Sequence, residues 1–449
     1  MISLKNDSIG KLLWEFSLPA IIGMLVNALY NIISRIFVGQ GVGYIAIAAV
    51  TVAMPVMILL MAVAMLVGVG ATALISIRMG EKKMDEVEKI AGNATALLIF
   101  LPFLLSIVYF LNAEPLLIMF GASPEALPYA KEYSHIIMLG AVPGSIAFGM
   151  NNFIRAEGNP RIAMLTQIIG AVINIVCNYI YIFIFNWGIQ GSAWAAVTGQ
   201  TVSAIWVLSH FLLGRSKIKL RAKYLKLDMS IVLKTLTIGF APFAMQIANS
   251  VQQTLLNNTL REYGGDLALS AVGILMSISM LLLMPIVGVS QGAQPIIGYN
   301  YGAQNYERVK ETLKKAVLVS TAMATGGYIL LHLFAVPVVG LFSKNDVALT
   351  ELTVHASLIF LALMPIIGFQ IVGSSYFQAV GKPVQSTILS LSRQVLLFIP
   401  LLLVLPQFYG IEGVWVTAPI ADGLAVFVTG TFLFFELKKY KKPALAMGD

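Results

Sequence analysis

Residues 97–111, LLIFLPFLLSIVYFL, run on without one charged side chain, and so do 394–405 and 423–435 apart from nothing but their flanks. Runs of this kind approach the roughly 20 apolar residues that carry a helix across a bilayer. The rest of the 449-residue chain is built the same way, 58% hydrophobic and only 11% charged, with mean hydropathy +0.85. That is too little charge to cover a soluble protein of this size. The sequence therefore specifies an all-α polytopic membrane protein. Its first apolar segment continues past Leu12 through Asn27 and Asn31 with no small-x-small site, so it is expected as a retained span and not a cleaved leader. The single cysteine, Cys177, excludes an internal disulfide and fits no zinc pattern.

Glycine, proline and charge clusters divide the apolar sequence into twelve expected spans. They lie near 11–34, 45–76, 92–111, 132–154, 162–185, 191–213, 230–259, 267–297, 312–335, 350–379, 384–405 and 411–435. With the termini and the even-numbered connections placed on one side, that side holds all but five of the 29 basic residues. The five are Arg35, Lys131, Arg261, Lys344 and the mid-span Arg393. Basic loops resist translocation, so the rich side is expected to be cytoplasmic, with both termini there and the chain multi-pass in the plasma (inner) membrane. The net charge of +8 and pI near 9.3 then reflect topology, not nucleic-acid binding, with anionic head groups as a further partner of the loops.

The chain nearly repeats itself at an offset of 222 or 223. Asn27 and Asn31 map to Asn249 and Gln253, Gly70 and Gly80 to Gly292 and Gly302, and Pro115 and Pro143 to Pro337 and Pro365. AEGNP at 156–160 matches AVGKP at 379–383, and WGIQG at 187–191 matches YGIEG at 409–413. Six spans per half make parallel repeats about an axis along the membrane normal. The expected organisation is an N-terminal lobe 1–213, a basic cytoplasmic linker 214–229 and a C-terminal lobe 230–449, with a central cleft between the lobes.

The ends of spans 1 and 7 are unusually polar for membrane helices. Asn27, Tyr30, Asn31 and Ser34 fall on one helical face, as do Gln246, Asn249, Ser250, Gln253 and Asn257. Two readings stand: the stripes line a watery substrate cavity, or they glue neighbouring helices. Asn152, Met61 and Met284 complete the candidate cavity wall, methionine being adaptable enough for broad specificity. Met54, Met57, Met65, Met276 and Met280 fit packing against lipid or other helices equally well. VGVGA at 67–71 has no strand beside it and reads as close helix packing, not a phosphate loop.

At these residues the sequence resembles a known family. LPAIIGMLVNALYNIISRIFVGQGVG, VGVSQGAQPIIGYNYGAQ, LSRQVLLFIPLLLVLP and GIEGVWVTAPIAD are similar to the multidrug and toxic compound extrusion (MATE) transporters, in particular a MepA-like bacterial branch. The resemblance covers nearly the whole chain. It implies two six-helix lobes in a V shape, and secondary active export of cationic amphipathic drugs by alternating access. It also implies antiport against H⁺ or Na⁺, no other cofactor, and a chain acting as a monomer. Relatives commonly carry Asp where this chain has Ser34, and another in span 5, where NIVCNYIY places Asn178 and Tyr179. Ser34, Asn174 and Asn178 offer neutral oxygens that suit Na⁺ but exchange no proton. Glu15 and the loop residue Glu157 are the remaining carboxylates of note in the first half.

The second half keeps deep charge. Arg393 and Asp422 both fall near mid-depth on antiparallel spans 11 and 12, where a lone charge is costly, so the two are expected to pair. The pair is either a permanent clamp or a switch in which Asp422 takes up a proton or cation and releases Arg393. His135 and His355 are expected near the outer interface, Arg35 to snorkel there, and Pro19, Pro143, Pro242 and Pro365 to kink helices. Rival functions are a flippase for lipid-linked precursors and a membrane-embedded enzyme. The first calls for several cations in the cleft, and the second for clustered His, Asp or Cys. No nucleotide-binding domain is present for ATP-driven pumping, and loop 76–89 lacks the major-facilitator signature.

Overall fold

The computed structural model describes residues 4–439 except 43, 121, 123, 215 and 344–346. Lys344, Arg215, Lys441, Lys442 and the side chain of Arg35, all part of the charge argument, lie outside the described residues.

The apolar runs become helices because the backbone has no other partner for its polar groups in hydrocarbon. In chain order they are α1 (Ile9–Gly41), α2 (Tyr44–Gly80), α3 (Met84–Met119), α4 (Leu127–Leu139), α5 (Ala141–Ala156), α6 (Pro160–Tyr179) and α7 (Gly188–Leu212). There follow α8 (Met229–Gly302), α9 (Tyr306–Ser343), α10 (Val347–Phe360), α11 (Met364–Ala379), α12 (Pro383–Leu391), α13 (Ile399–Tyr409) and α14 (Ile411–Lys439). No strand occurs among the described residues. Gly265, at φ 64°, breaks α8 into the seventh and eighth spans. Among the described residues ten helical stretches are long and apolar enough to cross a membrane, and two bent pairs, α4 with α5 and α10 with α11, bring the total to twelve when each is counted as one span.

The repeat is visible in the backbone. The bent pairs turn by 52° and 51°. Non-helical residues interrupt α3 at Asn112 and α9 at Phe334, each three residues before a proline, Pro115 and Pro337. A mid-helix proline supplies no N–H and crowds the preceding turn, which accounts for both breaks. Positive φ recurs at Lys82 and Gln304, at Gly158 and Gly381, and at Gly188 and Gly410. The expected kinks at Pro143 and Pro365 fall elsewhere. Each proline stands in the first turn of the second helix of its pair, where its missing N–H costs nothing, and the bends lie just before them, at Gly140 and at Leu361–Leu363. Pro19 and Pro242 stand inside α1 and α8 with no dihedral break beside them.

Two compact units emerge, and they depart from the sequence halves. The first comprises residues 1–6 and 22–246, the second 7–21 and 247–449. Glycines explain the exchange of helix halves. In the first unit a Cβ on Gly70 of α2 would stand 2.9 Å from the backbone nitrogen of Gly239 in α8 and closer still to the Thr235 carbonyl. In the second unit the repeat-equivalent Gly292 packs on Ser17 of α1, where a Cβ would meet Ser17 N at 2.7 Å and Cα at 2.8 Å. Small residues that admit backbone-to-backbone contact drive helix association in lipid, so these seams, not chain order, decide which segments cohere. Gly292→Ala is expected to cost about 1–3 kcal/mol by overpacking. Gly326→Ala, whose Cβ meets nothing within 4 Å, should be neutral or gain up to about 1 kcal/mol in a helix interior. Thermal unfolding of the two variants in detergent checks both.

The segment 214–229 docks on the first unit. Arg221 Nε pairs with Glu88 at 2.8 Å, and Ile218 is fully buried. Asn93 donates to the Tyr224 carbonyl (3.1 Å) and accepts from the Asp228 N–H (2.6 Å). The backbone of the segment is thereby tied to α3. The hydrophobic core of the first unit gathers around Met150, Phe153 and Val207, and that of the second around Trp415, Phe398 and Leu402.

Candidate functional site

Two polar clusters stand inside the spans, one per unit and of different chemistry. In the first unit α1 brings Ser34 against α6. Ser34 Oγ donates to Asn174 Oδ1 at 3.0 Å, and Asn178 Nδ2 donates to Asn174 Oδ1 at 2.9 Å and reaches Ser34 Oγ at 3.3 Å. Asn178 is fully buried and Asn174 nearly so, and Asn178 Oδ1 has no hydrogen-bond partner. Immediately beyond them α6 relaxes into a π-helical turn, Ile180–Ile184. The three residues named from sequence as candidate Na⁺ ligands are thus brought together, with one buried acceptor left over.

In the second unit Arg393 Nε donates to Asp422 Oδ1 of α14 at 2.5 Å. The Asp422 side chain is 4% exposed and that of Arg393 25%. Arg393 belongs to a second π-helical turn, Ser392–Phe398, inserted between α12 and α13. The next residue, Gln394, was not singled out from sequence. Its Nε2 donates to Asn249 Oδ1 on α8 at 2.6 Å, while its Oε1 is buried without a partner. A π turn widens the helix by one residue, commonly at functional sites. Here it lets adjacent residues face two helices at once, α14 through Arg393 and α8 through Gln394. The only sequence signal for Gln394 was its polarity in an otherwise apolar run.

The two stripes fare differently. Asn31 Nδ2 donates to Asn27, to its carbonyl at 2.8 Å and to its Oδ1 at 3.1 Å, and both asparagines are exposed; Tyr30 is half-buried. On α8, Gln253 donates to Asn257 Oδ1 at 3.0 Å, Gln246 and Ser250 are half-buried, and Asn249 is engaged by Gln394. Asn152 of α5 donates to the Phe148 carbonyl of its own helix at 3.1 Å. Met61 is exposed and Met284 half-buried.

A third buried cluster lies between the spans. Glu157, in the turn between α5 and α6, is 1% exposed. Its carboxylate accepts hydrogen bonds from His210 Nε2, Ser216 Oγ, Asn159 Nδ2 (2.9 Å) and the Lys217 N–H (3.1 Å). Burial pushes this carboxyl up, but the bonds from His210, Ser216 and Asn159, with the charge of His210, outweigh it and hold the group below its ordinary value of 4.5. His355 pairs with Glu412 at 2.9 Å, and His135 packs edge-on against Tyr109 with Nε2 unpartnered. Among the described residues no group of three or more His, Cys, Asp or Glu is placed to hold a metal.

Comparison with known proteins agrees with this geometry. The family model described as MatE matches twice, over residues 19–180 and 242–404, in step with the internal repeat. The multidrug export protein MepA of Staphylococcus haemolyticus is 27% identical over 437 residues, 97% of this chain and 95% of that protein. A solved structure of the MATE multidrug transporter DinF-BH is 36% identical. It covers 97% of this chain and 98% of its own, with a TM-score of 0.88. Another, a MATE structure in the bent conformation, shares the fold at a TM-score of 0.92 over 98% of this chain and 97% of its own, with 24% identity. A duplicated match across most of the sequence, on a helical frame of twelve spans, leads to one conclusion: this chain belongs to the MatE family of multidrug and toxic compound extrusion transporters, which are membrane carriers and not enzymes.

Proposed function

We propose that this protein exports cationic amphipathic compounds by alternating access, antiported against H⁺ or Na⁺, as a monomer with both termini cytoplasmic. The observation that carries the coupling step is the Arg393–Asp422 pair on a π turn. Neutralising the Asp422 carboxylate, by a proton or by a cation, removes the attraction that holds Arg393. Because Gln394 is the next residue, slackening at Arg393 also strains the Gln394–Asn249 bond and so reaches the polar stripe of α8. An ion that binds the two transport states unequally is what drives the cycle.

The first unit supports the Na⁺ alternative. Ser34, Asn174 and Asn178 present neutral oxygens, and the unpartnered Asn178 Oδ1 suits a hard cation. Broad cargo specificity is supported by the multidrug export proteins among the relatives and by exposed methionines such as Met61.

The test is dye export from proteoliposomes under separately imposed proton and sodium gradients, using an ethidium-like cation. One gradient should accelerate export and the other should not. Export that persists after both gradients are collapsed overturns the antiport reading.

A further inference from the structure

The second unit carries a groove that neither polar cluster uses. It encloses about 710 Å³ between α9, α11 and α14, within the range of about 300–1,000 Å³ typical of ligand sites. Lys310 and Lys314 stand near the start of α9, and Leu318, Phe369, Leu433 and Phe434 give the groove apolar walls. From Lys310 to Ala322 the groove follows twelve residues of helix, about 18 Å at 1.5 Å per residue. That is more than half of a hydrocarbon core about 30 Å thick. Leu437, just before Lys438 and Lys439 at the end of α14, also lines the groove.

We infer that this groove binds one anionic glycerophospholipid of the leaflet on the basic side, its phosphate at Lys310 and Lys314 and an acyl chain along α9 and α14. Charge complementarity is the argument for the occupant. Lys314 is exposed, with no carboxylate in ion-pair range among the described residues. Among the described residues Lys310 meets no carboxylate but Glu307, which is 84% exposed, a pairing that is weak in water and readily yields to a phosphate. Glu311, the other carboxylate on this turn, is held by Lys315 at 2.7 Å. Basic pockets between spans on this side of a membrane are head-group sites, whereas a bare apolar crevice would take any lipid. A Cβ on Gly430 would make only ordinary contact with the Phe369 ring, at 3.8 Å, so there is room at the floor for a larger side chain to be introduced as a plug.

The test is native mass spectrometry of the full chain after exposure to equal amounts of phosphatidylglycerol and phosphatidylcholine with identical acyl chains. The wild type should retain phosphatidylglycerol about tenfold better, as expected for two lysines near an acidic head group. Lys310→Gln/Lys314→Gln should bring the two lipids to parity, and Gly430→Phe should lower retention of both. Unfolding midpoints of all variants confirm that each is folded. Equal retention by the wild type, or an unchanged preference in the double-glutamine variant, overturns the assignment. So would a dimer lost with Gly430→Phe, because a second copy would then be the occupant.

Discussion

Asp422→Ala is expected to destabilise the protein by about 3–5 kcal/mol and to abolish gradient-driven export, because it strands the Arg393 guanidinium without its counter-charge. The carboxylate is 4% exposed and accepts from Arg393 Nε at 2.5 Å, so little solvent can replace it. Destabilisation alone does not separate a clamp from a switch. A double variant, Arg393→Met with Asp422→Leu, does. Replacing a buried ion pair by apolar side chains of similar volume is often neutral or stabilising, so the double variant should unfold close to the wild-type midpoint. If the pair couples ion to cargo, that folded protein exports dye at a rate indifferent to either gradient. Gradient-driven export at the wild-type rate in the double variant would leave the pair a purely structural role. Asp422→Asn, nearly isosteric, is expected to share the loss of coupling with a smaller loss of stability.

The second large effect is expected at Glu157, which stands outside the transport clusters, in the turn between α5 and α6, and is central to how the linker is held. Glu157→Ala leaves His210 Nε2, Ser216 Oγ and the Lys217 N–H without their acceptor in a buried site. A loss of about 3–5 kcal/mol is expected, with faster protease cleavage within 214–229. The pH dependence has a definite sign. Since the folded carboxyl titrates below its ordinary 4.5, its contribution to stability is complete above that value and is lost as the pH falls through the folded one. Wild-type midpoints should therefore drop on acidification below about pH 4.5, and Glu157→Ala should lack that part of the drop. Parallel curves for the two proteins would remove Glu157 as the acid-sensitive tie.

Much of the frame was legible in the residues alone. Apolar runs announce spans because burial in lipid is a local property of the sequence, and Pro115 and Pro337 could be matched across the repeat, although the helix breaks they cause at Asn112 and Phe334 emerged only in the structure. Ser34, Asn174 and Asn178 could be grouped because the resemblance places carboxylates of relatives at or beside those positions, in spans 1 and 5. Arg393 and Asp422 could be paired because a charge at mid-depth requires a partner. Gln394 escaped notice: its pairing with Asn249 depends on a π turn, and no residue pattern in the run announces one. The Glu157 carboxylate was noticed only as a loop residue, since three of its four donors come from residues 53 or more positions away.

The sequence by itself determined the number of spans, their two-fold repetition and which helix faces carry unusual polarity, because hydropathy, helical period and charge are read along the chain. The tertiary structure alone decided that the first halves of the first and seventh spans change units at Gly292 and Gly70. It likewise decided that three helices leave a lysine-headed groove between them. The reason is physical: in a bilayer the lipid-facing and helix-facing sides are both apolar, so no pattern of hydrophobicity says which faces meet, and close backbone contact makes the choice.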